Sequence, residues 1–276
     1  MKQPVIFTDL DGTLLEHGSY SFERAIPALK LVREKAIPLI ICSSKTRREI
    51  EWYRERLENQ HPFISENGGG IFIPDGYFDP LELPAGLVAS PDEGYVLFRL
   101  GAQYQALRRA VKELRKEGFG ITGFGDMTAA EVAALTGLPE EQAVMAGERD
   151  FDEPFLFDGD ASRIVKLQAA IREKGFSHTQ GRFFHLMGNS DKGKAVTILA
   201  SLYRRKYDDI STFALGDSLN DLPMLECVDY PVLVKKPDGR HDPRIEFPGL
   251  IKIEGIGPEG WNVALIKLLG GWEMGR

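Results

Sequence analysis

Two acids stand two residues apart at the end of an apolar run, Val5-Ile-Phe-Thr-Asp9-Leu-Asp11-Gly. Strand side chains separated by two share a face, so a strand over 5–8 sets Asp9 and Asp11 side by side. Such a pair repels, and both stay ionised cheaply only beside a cation. A divalent cation is the simplest answer. Carboxylate and main-chain carbonyl oxygens suit Mg2+, which also takes phosphate oxygens. The competing reading is a capped turn, in which Asp and Gly are common.

Three more stretches bear on the choice. Ala214-Leu-Gly-Asp217-Ser-Leu-Asn220-Asp221 also follows an apolar run and opens a helix. Acids near a helix start are favoured by its dipole, but a second acid at a strand end puts carboxylates on one rim. Ser43, Ser44 and Lys45 follow Pro38-Leu-Ile-Ile-Cys42. A hydroxyl and free amides at such a turn hold a phosphate oxygen, although one of Ser43, Ser44 and Thr46 is needed to cap the next helix. Lys192, in Gly188-Asn-Ser-Asp-Lys-Gly-Lys194, sits in a first helical turn where a cation opposes the dipole. A phosphate there would explain it; Lys194 reads as solvated.

The elements that must carry these residues alternate. Strands are expected at 4–8, 38–42, 63–65, 70–73, 211–215, 231–234 and 250–253, with helices at 22–35, 46–58, 192–206, 219–227 and 261–269. That pattern predicts an α/β fold: a Rossmann-like three-layer core on a parallel sheet. Residues 77–93, rich in Pro, Gly and Asp, read as a linker into an inserted α+β cap. The cap is expected to hold strands at 95–100, 120–124 and 153–157, helices at 103–117, 128–146 (broken at Gly137) and 162–174, and a hairpin at 179–187. The predicted layout is core 1–84, cap 85–188 and core 189–276.

Composition excludes some partners. The net charge of −7 argues against a broad nucleic-acid footprint, and no apolar run approaches a membrane span. Cys42 and Cys227 read as core hydrophobes rather than a disulfide or metal pair. With no leader visible, a cytoplasmic location is expected. Gly255-Ile-Gly-Pro-Glu-Gly260 fits a dinucleotide pattern, but too little chain follows for the next strand and its acid. The oligomeric state is not legible.

Taken in chain order, Asp9, Asp11, Ser43, Lys192, Asp217 and Asp221 resemble the motifs of the haloacid dehalogenase superfamily of aspartate-nucleophile phosphotransferases. The resemblance covers the whole core, and the insertion point is similar to that of the type IIB caps of its sugar-phosphatase branch. It implies that Asp9 attacks phosphorus and Asp11 serves as general acid and base. Mg2+ would be held by Asp9, Asp217 and the Asp11 main chain. Ser43, Ser44 and Lys192 would hold phosphate oxygens, supported by Asn220 and Asp221. Within that branch, residues 42–57, 65–74, 181–188 and 257–262 resemble the mannosyl-3-phosphoglycerate phosphatases. This implies a small phosphorylated sugar-glycerate substrate and mannosylglycerate, a compatible solute, as product. Lys45, Glu66, Asn67, Gly68, Arg163, Arg182 and His185 are the candidate substrate contacts. A sucrose-, trehalose- or glucosyl-type phosphatase, a phosphomutase, and a module that binds phosphate without catalysis stay open as alternatives. A signalling receiver domain is half this length and carries no cap.

Overall fold

The computed structural model describes residues 2–78 and 88–271. Its chain runs β1 (Gln3–Thr8), α1 (Ile26–Glu34), β2 (Leu39–Cys42), α2 (Arg47–Arg56), β3 (Phe63–Ser65), β4 (Gly70–Pro74), β5 (Ala89–Asp92) and β6 (Tyr95–Arg99). Then come α3 (Tyr104–Lys116), β7 (Gly120–Gly123), α4 (Ala129–Thr136), α5 (Glu140–Gly147), β8 (Asp152–Asp158), α6 (Ala161–Glu173), β9 (Ser177–Gln180) and β10 (Phe184–Met187). It closes with α7 (Lys192–Tyr207), β11 (Ile210–Gly216), α8 (Leu222–Leu225), β12 (Tyr230–Lys235), β13 (Ile251–Ile256) and α9 (Pro258–Gly271).

Among the described residues, nine strands form one sheet in the order β13-β12-β11-β1-β2-β3-β4-β6-β5. It is parallel from β13 to β3 and antiparallel beyond. The two-residue period sorts its side chains. Ile6, Leu39, Ile41, Phe213 and Leu215 enter one apolar layer with α1 and α9. Val5, Phe7, Ile40, Cys42 and Ala214 enter the other with α7 and α8. Burial on both faces is why these strands read as unbroken apolar runs.

The second sheet, β7-β8-β10-β9, is antiparallel and carries α3 and α6 over its own apolar layer. With α4 and α5 it makes the α+β cap. The helical stretch 128–146 does break at Gly137, whose φ of +79° caps α4. No helix among the described residues is long and apolar enough to cross a membrane.

Two expectations need correction. The strand at 95–99 pairs with β4 in the large sheet, not with the cap. The Pro/Gly-rich stretch before it invited a boundary there, but β5 and β6 pair with each other and extend the sheet edge. The expected boundary at 84/85 itself lies outside the described residues. Cys42 is buried as expected, but Cys227 is exposed, because α8 ends two residues before it.

One apolar side chain carries the cap into the core. Phe151, 2% exposed, packs into the core layer shared by β1 and α1. It fits because its neighbours lack side chains: a Cβ on Gly69 would sit 2.2 Å from Phe151 Cβ, and one on Gly101 2.8 Å from it. Phe151→Ala is expected to cost about 3–5 kcal/mol in denaturant unfolding. A loss below about 1 kcal/mol would mean the ring is not part of the core.

Candidate active site

Asp9 leaves the C-terminal end of β1, and its N–H donates to Leu215 O at 3.0 Å. The strand end is fixed from behind: Trp261 Nε1–H donates to Thr8 Oγ1 at 3.0 Å, and Thr8 Oγ1 donates to Asp9 O at 2.8 Å. The tight turn after Asp11 needs Gly12, whose φ is +82° and whose Cβ would lie 3.0 Å from Asp217 Oδ2. Asp217 follows β11, the parallel neighbour of β1. Both acids therefore stand at the carboxyl edge of the sheet, where ligands of open α/β folds gather.

Lys192 opens α7 and is fully buried. Its Nζ donates to Asp9 Oδ1 and to Asp221 Oδ1, each at 2.6 Å. Burial alone would drive this amine down, but Asp221 and Asp9 hold it above the ordinary lysine range. The α7 N-terminus is capped instead by Asp191, which accepts from Lys194 N at 2.8 Å. Asp221 Oδ2 accepts from the amides of Asp217 and Ser218 at 3.0 and 3.1 Å. Both oxygens of Asp221 are thus committed, to the lysine and to the loop.

Oxygens of Asp9, Asp217 and Asp221 lie within 4.8 Å of one another. Asp221 is filled, so Asp9 and Asp217 are the two that can offer an oxygen to a cation. Burial pushes Asp9 well above the usual carboxylate range, reinforced by Asp221 and Asp217 and opposed by Lys192. Burial and Asp221 push Asp217 up to about 7. Two buried hard-oxygen donors that resist ionisation fit a divalent cation, whose charge would remove that resistance. The Asp11 carboxylate stands outside this group. Its Oδ2 pairs with Lys45 Nζ at 3.1 Å, and its Oδ1 is buried with no partner.

The turn after β2 shows which of its hydroxyls caps the helix. Thr46 is the cap of α2, in a reciprocal box with Glu49, which frees the serines before it. Ser43 is buried, and its Oγ accepts from Lys45 N at 3.2 Å. Ser44 lines a cavity of about 240 Å³ between core and cap, with Asp9, Asp11, Lys45 and Asp217. Lys45 Nζ also bonds Glu49 Oε1 at 3.2 Å.

Of the cap candidates, Arg182 and His185 line this cavity. Arg163 does not. It is exposed on α6 and donates to Gly118 O, because the helix turns that face to solvent. Glu66, Asn67 and Gly68 do not line it either. They are buried struts. Glu66 accepts the amides of Asp150, Phe151 and Asp152 at 3.0, 2.9 and 2.9 Å. Asn67 donates to Asp152 Oδ2 at 2.7 Å and accepts from Asn220 Nδ2 at 3.2 Å. Gly68, at φ +89°, packs so closely that a Cβ would lie 2.1 Å from Asp191 O. Sequence reasoning missed Tyr20, Arg149 and Ser218, which line the cavity, and Asp152, which holds His185 Nδ1 at 2.9 Å. Ser218 stands beside Asp217 inside a stretch already singled out; no spacing signal marks the other three, which meet the site through contacts distant in the chain.

A sequence profile of the haloacid dehalogenase-like hydrolases matches residues 6–79 and 148–238. The chain belongs to this family. The haloacid dehalogenase-like core accounts for the strand-end acids, and the relatives extend the match through the cap. A glucosyl-3-phosphoglycerate/mannosyl-3-phosphoglycerate phosphatase of Methanococcoides burtonii is 48% identical over 268 residues, covering 96% of this chain and 97% of its own. One of the same name from Persephonella marina is 41% identical, covering 98% and 99%. The mannosyl-3-phosphoglycerate phosphatase of Pyrococcus furiosus is 40% identical, covering 86% and 93%. Among solved structures, a Thermoplasma acidophilum protein superposes with a TM-score of 0.68 at 17% identity, covering 98% of this chain and 99% of its own. The Synechocystis sucrose-phosphatase does so at 0.61 and 13%, covering 99% of each. At such identities the likeness concerns the fold.

The raised Asp217 carboxyl has a thermodynamic consequence. Between its ordinary value of 3.8 and about 7, the cation-free folded state holds a proton that the unfolded chain has lost. This contribution to stability therefore falls as pH rises through that window. In EDTA, Asp217→Asn is expected to gain thermal stability relative to wild type as pH goes from 5 to 8. Added Mg2+ is expected to raise the wild-type Tm more at pH 8 than at pH 5. An unchanged Tm difference between the two proteins across that range would contradict the assignment.

Proposed function

We propose that this chain is a Mg2+-dependent phosphatase of mannosyl-3-phosphoglycerate, with the glucosyl ester as a second substrate, releasing the glycosylglycerate and phosphate. The observation that carries it is 48% identity running over 96% of the chain, cap included, with a phosphatase named for both esters. The site geometry supports the chemistry independently.

Asp9 is the nucleophile. It lines the cavity, and Lys192 holds one of its oxygens. Attack on phosphorus forms an aspartyl-phosphate as the ester P–O bond breaks, and Asp11 gives its proton to the departing alkoxide. Asp11 then takes a proton from water as that water attacks the acyl-phosphate, which frees phosphate and restores Asp9. Lys45, 3.1 Å from Asp11, sets the orientation of that carboxylate. Ser44 on the cavity wall, with Ser43 and Lys192 buried behind it, would offset the charge of the transferring group. Asp221 positions Lys192, because both of its oxygens are already used. A bound Mg2+, held by Asp9, Asp217 and the Asp11 carbonyl, would supply the positive charge that lets two anions approach. The cap sets Phe124 and Phe183 on the cavity wall, which would limit bulk water around the reacting groups.

Asp9→Asn is expected to lose roughly 10³-fold or more in phosphate release with the fold intact. Circular dichroism and phosphate release from one added ester check both halves. Substantial residual turnover would remove Asp9 from the nucleophile role. Across a panel with Mg2+, the mannosyl and glucosyl phosphoglycerates should exceed sucrose and trehalose phosphates in kcat/KM. The reverse order would overturn the substrate reading and leave the phosphatase reading standing.

A further inference from the structure

A phosphoglycerate ester carries a second anion close to the first. Only two carbons separate the ester oxygen from the carboxylate carbon, so the two lie within about 4 Å. The group that reads that carboxylate must therefore stand next to the turn that receives the phosphate.

Most cations around the cavity are already spent on carboxylates. Lys45 serves Asp11 and Glu49, and Lys236 serves Asp242 at 2.7 Å. The two guanidiniums differ. Among the described residues, Arg149 and Arg182 bond backbone carbonyls and pair with no carboxylate. Arg182 is exposed and tied to Leu135 O and Thr136 O at the end of α4. Arg149 instead reaches the phosphate-type turn: Nη1 donates to Ser44 O at 2.7 Å, and Nε donates to Ala146 O at 2.9 Å.

A guanidinium has five N–H donors in a fixed fork, so most of this one remains available. The acids near Arg149 are engaged elsewhere. Glu49 holds Lys45, Glu66 holds three cap amides, Asp152 holds His185, and Glu153 holds Arg108. Arg149 is a cap residue that lines the cavity, and it touches the core loop where a phosphate would sit.

We propose that Arg149 reads the substrate carboxylate, giving its remaining donors to a carboxylate two carbons from the phosphate ester oxygen. This rests on the substrate class proposed above and names the residue that selects it. The contact is charge-assisted and directional, which separates a carboxylate from its neutral isostere.

The test uses the full chain with Mg2+ and three esters: mannosyl-3-phosphoglycerate, its carboxamide, and p-nitrophenyl phosphate. Wild type is expected to prefer the carboxylate over the carboxamide by roughly 10- to 100-fold in kcat/KM. Arg149→Gln should lose that preference, mainly through KM for the carboxylate, and its loss on p-nitrophenyl phosphate, which has no carboxylate, should be clearly the smaller. Arg149→Lys, which keeps the charge without the fork, should lose part of the preference, and it serves if the glutamine variant does not fold. A preference that survives intact in the variants overturns the role of Arg149 alone. So does an equal loss on all three esters, which would mark a purely structural contact with Ser44. Wild-type turnover of p-nitrophenyl phosphate with neither glycerate ester accepted overturns the substrate class as well.

Discussion

The site depends on one buried ammonium. Lys192 Nζ lies 2.6 Å from both Asp9 and Asp221. Three carboxylates crowd the ends of β1 and β11 with almost no exposure to water. Without a cation among them the strand edge could not close, because a buried charge without a partner costs several kcal/mol. The lysine sits where the helix dipole disfavours it, and Asp191 caps α7 in its place. The position makes sense only through contacts 183 and 29 residues away in the chain.

That dependence explains what could be seen in the sequence. Asp9, Asp217 and Asp221 were legible because apolar runs place them at strand ends, and the sheet does bring these ends together. Lys192 was legible as a local contradiction. The parallel character of that part followed from the alternation of strands with helices; the order of the strands did not. What failed was decided by non-local contacts. Tyr95–Arg99 follows a Pro/Gly-rich stretch that reads as a linker into the cap, but its hydrogen bonds run to β4. Glu66, Asn67 and Gly68 stood among the candidate substrate contacts through the family resemblance, in a stretch whose glycines allow close approach. They do mark close approach, but of the protein to itself. Arg163 is one of many surface arginines, and nothing local separates it from Arg149, which faces the cavity.

Core and cap are also joined by polar contacts that no periodicity announces. His185 is held by Asp152, and Asp152 by Asn67. Asn67 meets Asn220, and Ser218 Oγ lies 2.9 Å from Asn220 Oδ1 and 3.2 Å from Asp217 Oδ1. A cap histidine on the cavity wall is therefore connected, through side chains alone, to an acid at the core strand edge. Each member is satisfied by its neighbours, which is the condition under which a buried polar network rigidifies a site instead of weakening it.

The loop carrying Glu66 and Asn67 shows the cost of that arrangement. Both residues adopt left-handed backbone, φ +48° and +54°, ahead of Gly68 at +89°. For residues with side chains this costs roughly 1–2 kcal/mol apiece. Asn tolerates it comparatively well, and Glu does not. The offset is visible in the same residues, since Glu66 takes three cap amides and Asn67 takes bonds from both sides. The backbone amides of this loop also hold the phosphate-type turn: Glu66 N donates to Lys45 O and Asn67 N to Ser43 O, each at 3.0 Å. The position of the cap and the shape of the turn over 43–45 are thereby coupled, so a cap residue such as Arg149 is held relative to the strand-end acids of the core.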